Sequence, residues 1–209
     1  MLTVVDYGLG NIASVIGAIE KLNFSATISS NEDVLLKSDH LILPGVGAFK
    51  DGMQNLQDLN LISVLNHIVI EKKVPILGIC LGAQLMMSSS DEFGEHKGLD
   101  WVPGQVRRLT SKDPNIRVPH VGWNEVSIKK QDPLFSNIKE KDPLLYFVHS
   151  HAIYTSKLPI IGATCDHGEN FIAAFSYENI FGTQFHPEKS QKTGLKILKN
   201  FLSVDSQNA

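Results

Sequence analysis

The sequence predicts an α/β fold: a mixed, mostly parallel central sheet with flanking helices and an added antiparallel portion. Three observations carry that expectation. In the first half of the chain, short apolar runs alternate with longer amphipathic ones, the order that builds parallel strands joined by helices. The second half holds many short strand-like runs separated by turn residues, with no helical periodicity between them. A last amphipathic run then returns the chain to the α/β pattern.

Residues 2–6 read as the first strand, turned by Tyr7-Gly8-Leu9-Gly10 into a helix over 11–22. That helix keeps Ile12, Val15, Ile16, Ile19 and Leu22 on one face. A second strand is expected at 26–28 and a third at 40–43, the latter stopped by Pro44-Gly45-Val46-Gly47. A helical stretch follows over 49–73, broken around Leu59-Asn60. The fourth strand is 76–79, and Ala83-Gln84-Leu85-Met86-Met87 leaves its end as a helix. Six short strands are expected at 105–109, 125–128, 145–148, 160–165, 171–176 and 180–183, then a helix over 191–202 and a frayed tail over 203–209. Nothing reads as a linker, a repeat or low complexity, so one domain is expected over 1–209.

Composition narrows the function classes. At 43% hydrophobic and 20% charged, the 209-residue chain can bury an ordinary core. A net charge of −3 argues against nucleic acid as the main partner. Two cysteines are too few for a disulfide framework. The first residues form a strand without a charged leader and apolar signal core, and no apolar run approaches the ~20 residues that span a bilayer. A cytoplasmic protein that engages no membrane is therefore expected.

Cys80 sits where a strand turns into a helix, between Gly78 and Gly82. Free cysteine is usually a small core hydrophobe, and Cys165, inside a strand pattern, fits that description. Cys80 differs, because flanking glycines permit tight geometry and a following helix start favours the thiolate. A nucleophilic thiol needs a base, and the base needs an orienting group. His186-Pro187-Glu188 supplies an imidazole, a stiffening proline and a carboxylate two residues on. Gly45 and Gly47 either end a strand in a plain turn or present backbone amides to an oxyanion; pattern leaves both open. His149-x-His151 shares a face of a strand, but nothing at suitable spacing completes a metal-ligand set, so no metal is expected. Gly8-x-Gly10 lacks the acidic partner of a dinucleotide fingerprint, and no cofactor is expected.

Taken together, Gly78-Ile79-Cys80-Leu81-Gly82-Ala83-Gln84, Pro44-Gly45-Val46-Gly47 and His186-Pro187-Glu188 resemble the class I, triad-type glutamine amidotransferases. Pro119-His120-Val121-Gly122-Trp123-Asn124 and Tyr146-Phe147-Val148-His149-Ser150 are similar to glutaminase subunits that serve a (β/α)8-barrel synthase in histidine biosynthesis. The resemblance implies a flavodoxin-like fold and a glutaminase that forms a thioester on Cys80. His186 would move protons and Glu188 would orient it. It also implies an oxyanion held by the Leu81 amide and by an amide of Gly45, Val46 or Gly47. Gln84 and Glu92 would bind glutamine, with the backbone of His149, Ser150 and His151 closing over it. Asn11, Trp123 and Lys189 would face the synthase, which receives ammonia through a tunnel. One position departs from the family pattern: an aromatic is expected after Ser150, where His151 stands. Related subunits feed sugar-modifying synthases of surface polysaccharides, and a stand-alone cysteine hydrolase is a further alternative.

Overall fold

The computed structural model describes residues 1–204 except 112, 140 and 142. In chain order the strands are β1 (Leu2–Val5), β2 (Ala26–Ser29), β3 (His40–Gly45), β4 (Ile76–Cys80), β5 (Met87–Ser90), β6 (His96–Lys97), β7 (Val102–Arg108), β8 (His120–Ile128), β9 (Leu144–His149), β10 (His151–Tyr154), β11 (Ile161–Asp166), β12 (Asn170–Tyr177) and β13 (Ile180–Thr183). The α-helices are α1 (Ile12–Lys21), α2 (Glu32–Leu35), α3 (Phe49–Asp58), α4 (Leu61–Asn66), α5 (Leu81–Leu85) and α6 (Gln191–Leu202).

The sheet runs β2-β1-β3-β4-β13-β12-β10-β7-β5-β6, with β11, β8 and β9 branching from β12. From β2 through β13 the neighbours are parallel, as expected of the βαβ half. β12, β10 and β7 add the antiparallel portion. Two apolar layers cover the sheet. Leu43, Phe49, Leu56 and Leu85 pack on the side of α3, α4 and α5, whereas Val4, Ile19, Ile79, Leu198 and Phe201 pack on the side of α1 and α6. Among the described residues no helix is long and apolar enough to cross a membrane.

Caps and breaks follow the sequence. The Asn11 side chain accepts from Ser14 N and starts α1. Asn60, left-handed at φ 55°, separates α3 from α4 where the break was expected. The structure also corrects several boundaries. β3 does not stop at Leu43 but runs on through Pro44 and Gly45, opposite Ile79 and Cys80. β1 pairs with β3 only as far as Ile42, so Pro44 sits where β3 has one neighbour, a setting that tolerates proline. The helix after Cys80 ends at Leu85 rather than Met87, because the carbonyls of Leu85, Met86 and Met87 accept from residues 99–102 instead of continuing the helix. β5, β6, β10 and α2 were not expected; each is four residues or fewer, too short for periodicity to register. Val204, assigned to the fraying tail, is held by the His40 ring at 2.9 Å, and 205–209 lie outside the described residues.

Candidate active site

Cys80 is the last residue of β4 and has φ 54° and ψ −109°, a conformation that costs energy for any residue with a Cβ. The surroundings enforce it. α5 starts at Leu81 and folds straight back on the sheet, so closely that a Cβ on Gly82 would lie 1.8 Å from the Leu43 carbonyl oxygen. A Cβ on Gly78 would lie 2.6 Å from the backbone of Ala83. Both glycines are therefore needed for close approach. The thiol is thereby held at the carboxyl end of the parallel strands, 6% exposed, with Gly45 opposite it in register.

β13 lies beside β4 with Thr183 opposite Ile79, which delivers Gln184, Phe185 and His186 to the same end of the sheet. The His186 amide donates to Tyr146 O at 2.9 Å, and Ser190 Oγ donates to His186 O at 2.7 Å, fixing the backbone. Pro187 opens a 3-10 turn, Pro187–Lys189, that bends Glu188 back onto the imidazole. His186 Nδ1 lies 2.8 Å from Glu188 Oε1, with both side chains almost fully buried. A carboxylate accepts, so Nδ1 carries the proton and Nε2 is left for the reacting groups. Nε2 is buried and makes no hydrogen bond in this resting geometry, although the Cys80 sulfur is near enough to act on the ring. Such contacts tighten when substrate enters.

Burial would lower the His186 pKa, but Cys80 and Glu188 outweigh it and raise it to about 9 from 6.5. Folding therefore tightens proton binding at His186. The resulting stabilisation is complete below pH 6.5 and is lost as pH rises through 9. Denaturant unfolding of the wild type and His186→Gln checks this: the wild type's advantage is expected to be larger at pH 6 than at pH 10. An advantage independent of pH would contradict the charged pairing.

A cavity of about 390 Å³ opens over the thiol. Val46, Gly47, Leu81, Gln84, Glu92, His149, Ser150 and His151, all candidates from the sequence, line it with Cys80 and Lys189. A larger hollow of about 780 Å³ between Ile128 and Ile138 contains none of the candidates and lies away from the thiol. Within the smaller cavity, Glu92 Oε2 accepts from Phe49 N at 2.7 Å and Oε1 lies 3.2 Å from His151 Nδ1. Burial pushes the Glu92 carboxyl up, yet the bonds from His151 and the Phe49 amide hold it below the usual value, so it is an anion. His151, at the position where an aromatic was expected, thus supplies a partner for that anion. Among the described residues no group of three or more His, Cys, Asp or Glu is arranged to hold a metal.

Of the partner-facing candidates, Trp123 and Lys189 meet over one ring: Tyr146 stands 5.9 Å from the Trp123 ring and 5.9 Å from Lys189 Nζ. Asn11 caps α1, which packs beside the Pro187–Lys189 turn. Cys165 is buried core, its thiol pushed up to about 12 by burial and by Asp166. Sequence reasoning missed Gln184, whose Nε2 stands 3.6 Å from Cys80 Sγ, and Tyr7, whose buried hydroxyl lies under Gly45. Gln184 could have been found, since it immediately precedes Phe185-His186 on the strand that carries the base. Tyr7 carried no such signal.

The residues 3–204 match the family model described as glutamine amidotransferase class-I. The chain belongs to this family. A curated protein of Aquifex aeolicus named imidazole glycerol phosphate synthase subunit HisH is 45% identical, over 95% of this chain and 94% of that protein. Its namesake from Syntrophotalea carbinolica is 42% identical over 96% and 98%. Among solved structures, PurLQS from Thermotoga maritima superposes with a TM-score of 0.72 at 19% identity, covering 96% of each chain, a likeness of fold. As a class I amidotransferase, the chain is a glutaminase with the flavodoxin-like fold that the sequence predicted.

Proposed function

We propose that this chain is the glutaminase subunit of imidazole glycerol phosphate synthase, a single cytoplasmic domain over 1–209 that supplies ammonia to a (β/α)8-barrel synthase subunit in histidine biosynthesis. The observation that carries the reading is the near-full-length likeness to proteins of that name. In this reading the Cys80 thiolate attacks the side-chain amide carbon of glutamine. The Leu81 amide and an amide of the Gly45–Gly47 loop hold the oxyanion. His186 gives its proton to the departing nitrogen, ammonia leaves, and a thioester remains. His186, now neutral and held by Glu188, takes a proton from water, which cleaves the thioester to glutamate. Passing ammonia directly to the synthase keeps it from the protonation that would end its nucleophilicity in bulk water.

Exposure supports a docking face on β8 and β9. Val121 and Trp123 on β8 stand opposite Val148 and Tyr146 on β9, so one face of this ribbon shows Val121, Trp123, Leu144 and Val148 to solvent. An apolar ribbon beside the cavity mouth suits a lasting protein contact. Glu92 suits the substrate's ammonium group. Glu92→Gln keeps an acceptor for Phe49 N but removes the charge, and is expected to raise the KM for glutamine about tenfold or more with kcat little changed. Glutamate release by the complex with its synthase measures this. A fall in kcat at unchanged KM would place Glu92 outside the substrate pocket.

A further inference from the structure

Gln84 donates from Nε2 to the His151 carbonyl at 2.8 Å and to Gln184 Oε1 at 3.0 Å. A backbone carbonyl only accepts, so the Gln84 atom facing it is nitrogen. Its second N–H needs an acceptor, which makes the facing atom of Gln184 an oxygen. The remaining atom of Gln184, its nitrogen, is therefore the one 3.6 Å from Cys80 Sγ. Turning Gln84 over would set oxygen against oxygen, and turning Gln184 over would set one N–H donor against another.

The His151 carbonyl is held from the other side as well. His149 Nδ1 donates to it at 2.9 Å. Burial, with neighbouring histidines, lowers the His149 pKa to about 4, so the ring is neutral and its Nε2 accepts. The donor is His120 Nδ1 at 3.1 Å. His120 is likewise neutral, at about 3, and its Nε2 accepts from Asn124 Nδ2 at 3.2 Å. Asn124 donates its other hydrogen to Asp166 O at 2.9 Å. Two backbone carbonyls, those of Asp166 and His151, thus set the direction of every link. Gln184 is fully buried and Gln84 nearly so, which strengthens each bond and keeps water from competing.

We infer that Gln184 is a positioning residue for the nucleophile, aiming an amide N–H at the Cys80 sulfur through a hydrogen-bond chain of fixed polarity. The inference deepens the glutaminase reading and rests on it for the reaction, though not for the reactivity of the sulfur. As a thiol, Cys80 leans on Val148 O at 4.0 Å as a donor. Once deprotonated it can only accept, and Gln184 then meets it with an N–H, beside the charge of the His186 ring. A donor to the charged form favours that form. A Gln184 that merely filled the core would affect stability and leave the sulfur's reactivity unchanged.

The test uses the complex with the synthase partner and two variants. Gln184→Met removes the donor at similar volume. Gln184→Asn keeps an amide but draws it back by one methylene, and serves if the Met variant does not fold. Each is followed by thermal unfolding, by the rate at which iodoacetamide alkylates Cys80 at pH 7, and by glutaminase kinetics. Alkylation of Cys80 is expected to slow about tenfold, with a similar fall in kcat and a KM for glutamine within about twofold of the wild type. A folded variant whose Cys80 is alkylated at the wild-type rate overturns the inference, even if glutamate is still formed. Slowed alkylation in a protein that never releases glutamate would sustain the inference while removing the glutaminase reading.

Discussion

Cys80→Ala, assayed in complex with the synthase, is expected to release no glutamate above background, a loss on the order of 10⁴-fold or more. The same complex supplied with ammonium salts should still form the synthase's products. The contrast follows from the division of the reaction. Only the first half needs a thiolate at the carboxyl end of β4, and alanine removes it without altering the strand, α5 or the ribbon of β8 and β9. Alanine also fits the space, because it is smaller than cysteine and gives up only weak contacts of Sγ such as those with Val148 O and Gln184 Nε2. Retained glutamine-dependent turnover would show that another group attacks the amide.

Gly82→Ala should do more damage from a smaller change. The added Cβ would meet Leu43 O at 1.8 Å and Leu43 C at 2.8 Å. β3 cannot yield there, because Leu41 to Gly45 pair with β4 while Leu43 is fully buried. α5 would have to lift, carrying Leu81 and Gln84 away from the thiol and relaxing the strained Cys80 backbone. A cost of about 2–4 kcal/mol is expected by denaturant unfolding, with glutaminase activity lost in whatever folds. Gly17→Ala is the control. It lies in α1 with nothing within 4 Å of the added Cβ, and should be neutral or stabilising by about 0.4–1 kcal/mol. Equal effects at both positions would mean that helix propensity, rather than the close approach at the turn, governs the cost.

Much of the site was legible because its chemistry sits on local signals. Glycines around Cys80 mark a turn that backbone sterics demand, and Pro187 between His186 and Glu188 marks a fixed pair. Each can be read within a few residues. The parallel half of the sheet was legible for the same reason, since helices and strands of unlike period alternate there. What escaped depends on tertiary partners. Pro44 and Gly45 continue β3 because β4 pairs with them, and Met87 leaves the helix because β7 claims its backbone. The polarity of Gln184 is set through Gln84 by a carbonyl 33 residues away in sequence, at His151. Tyr7 reaches Gly45 only because β1 and β3 are neighbours. His151, which breaks the family pattern in sequence, proved interpretable only beside Glu92.

The most direct measurement is mass spectrometry of the synthase complex after incubation with a diazo-ketone analogue of glutamine. The account predicts one adduct per chain, mapped to the peptide containing Cys80, prevented by excess glutamine and absent from Cys80→Ala. Labelling at Cys165, or no labelling in a complex that is releasing glutamate, would contradict it.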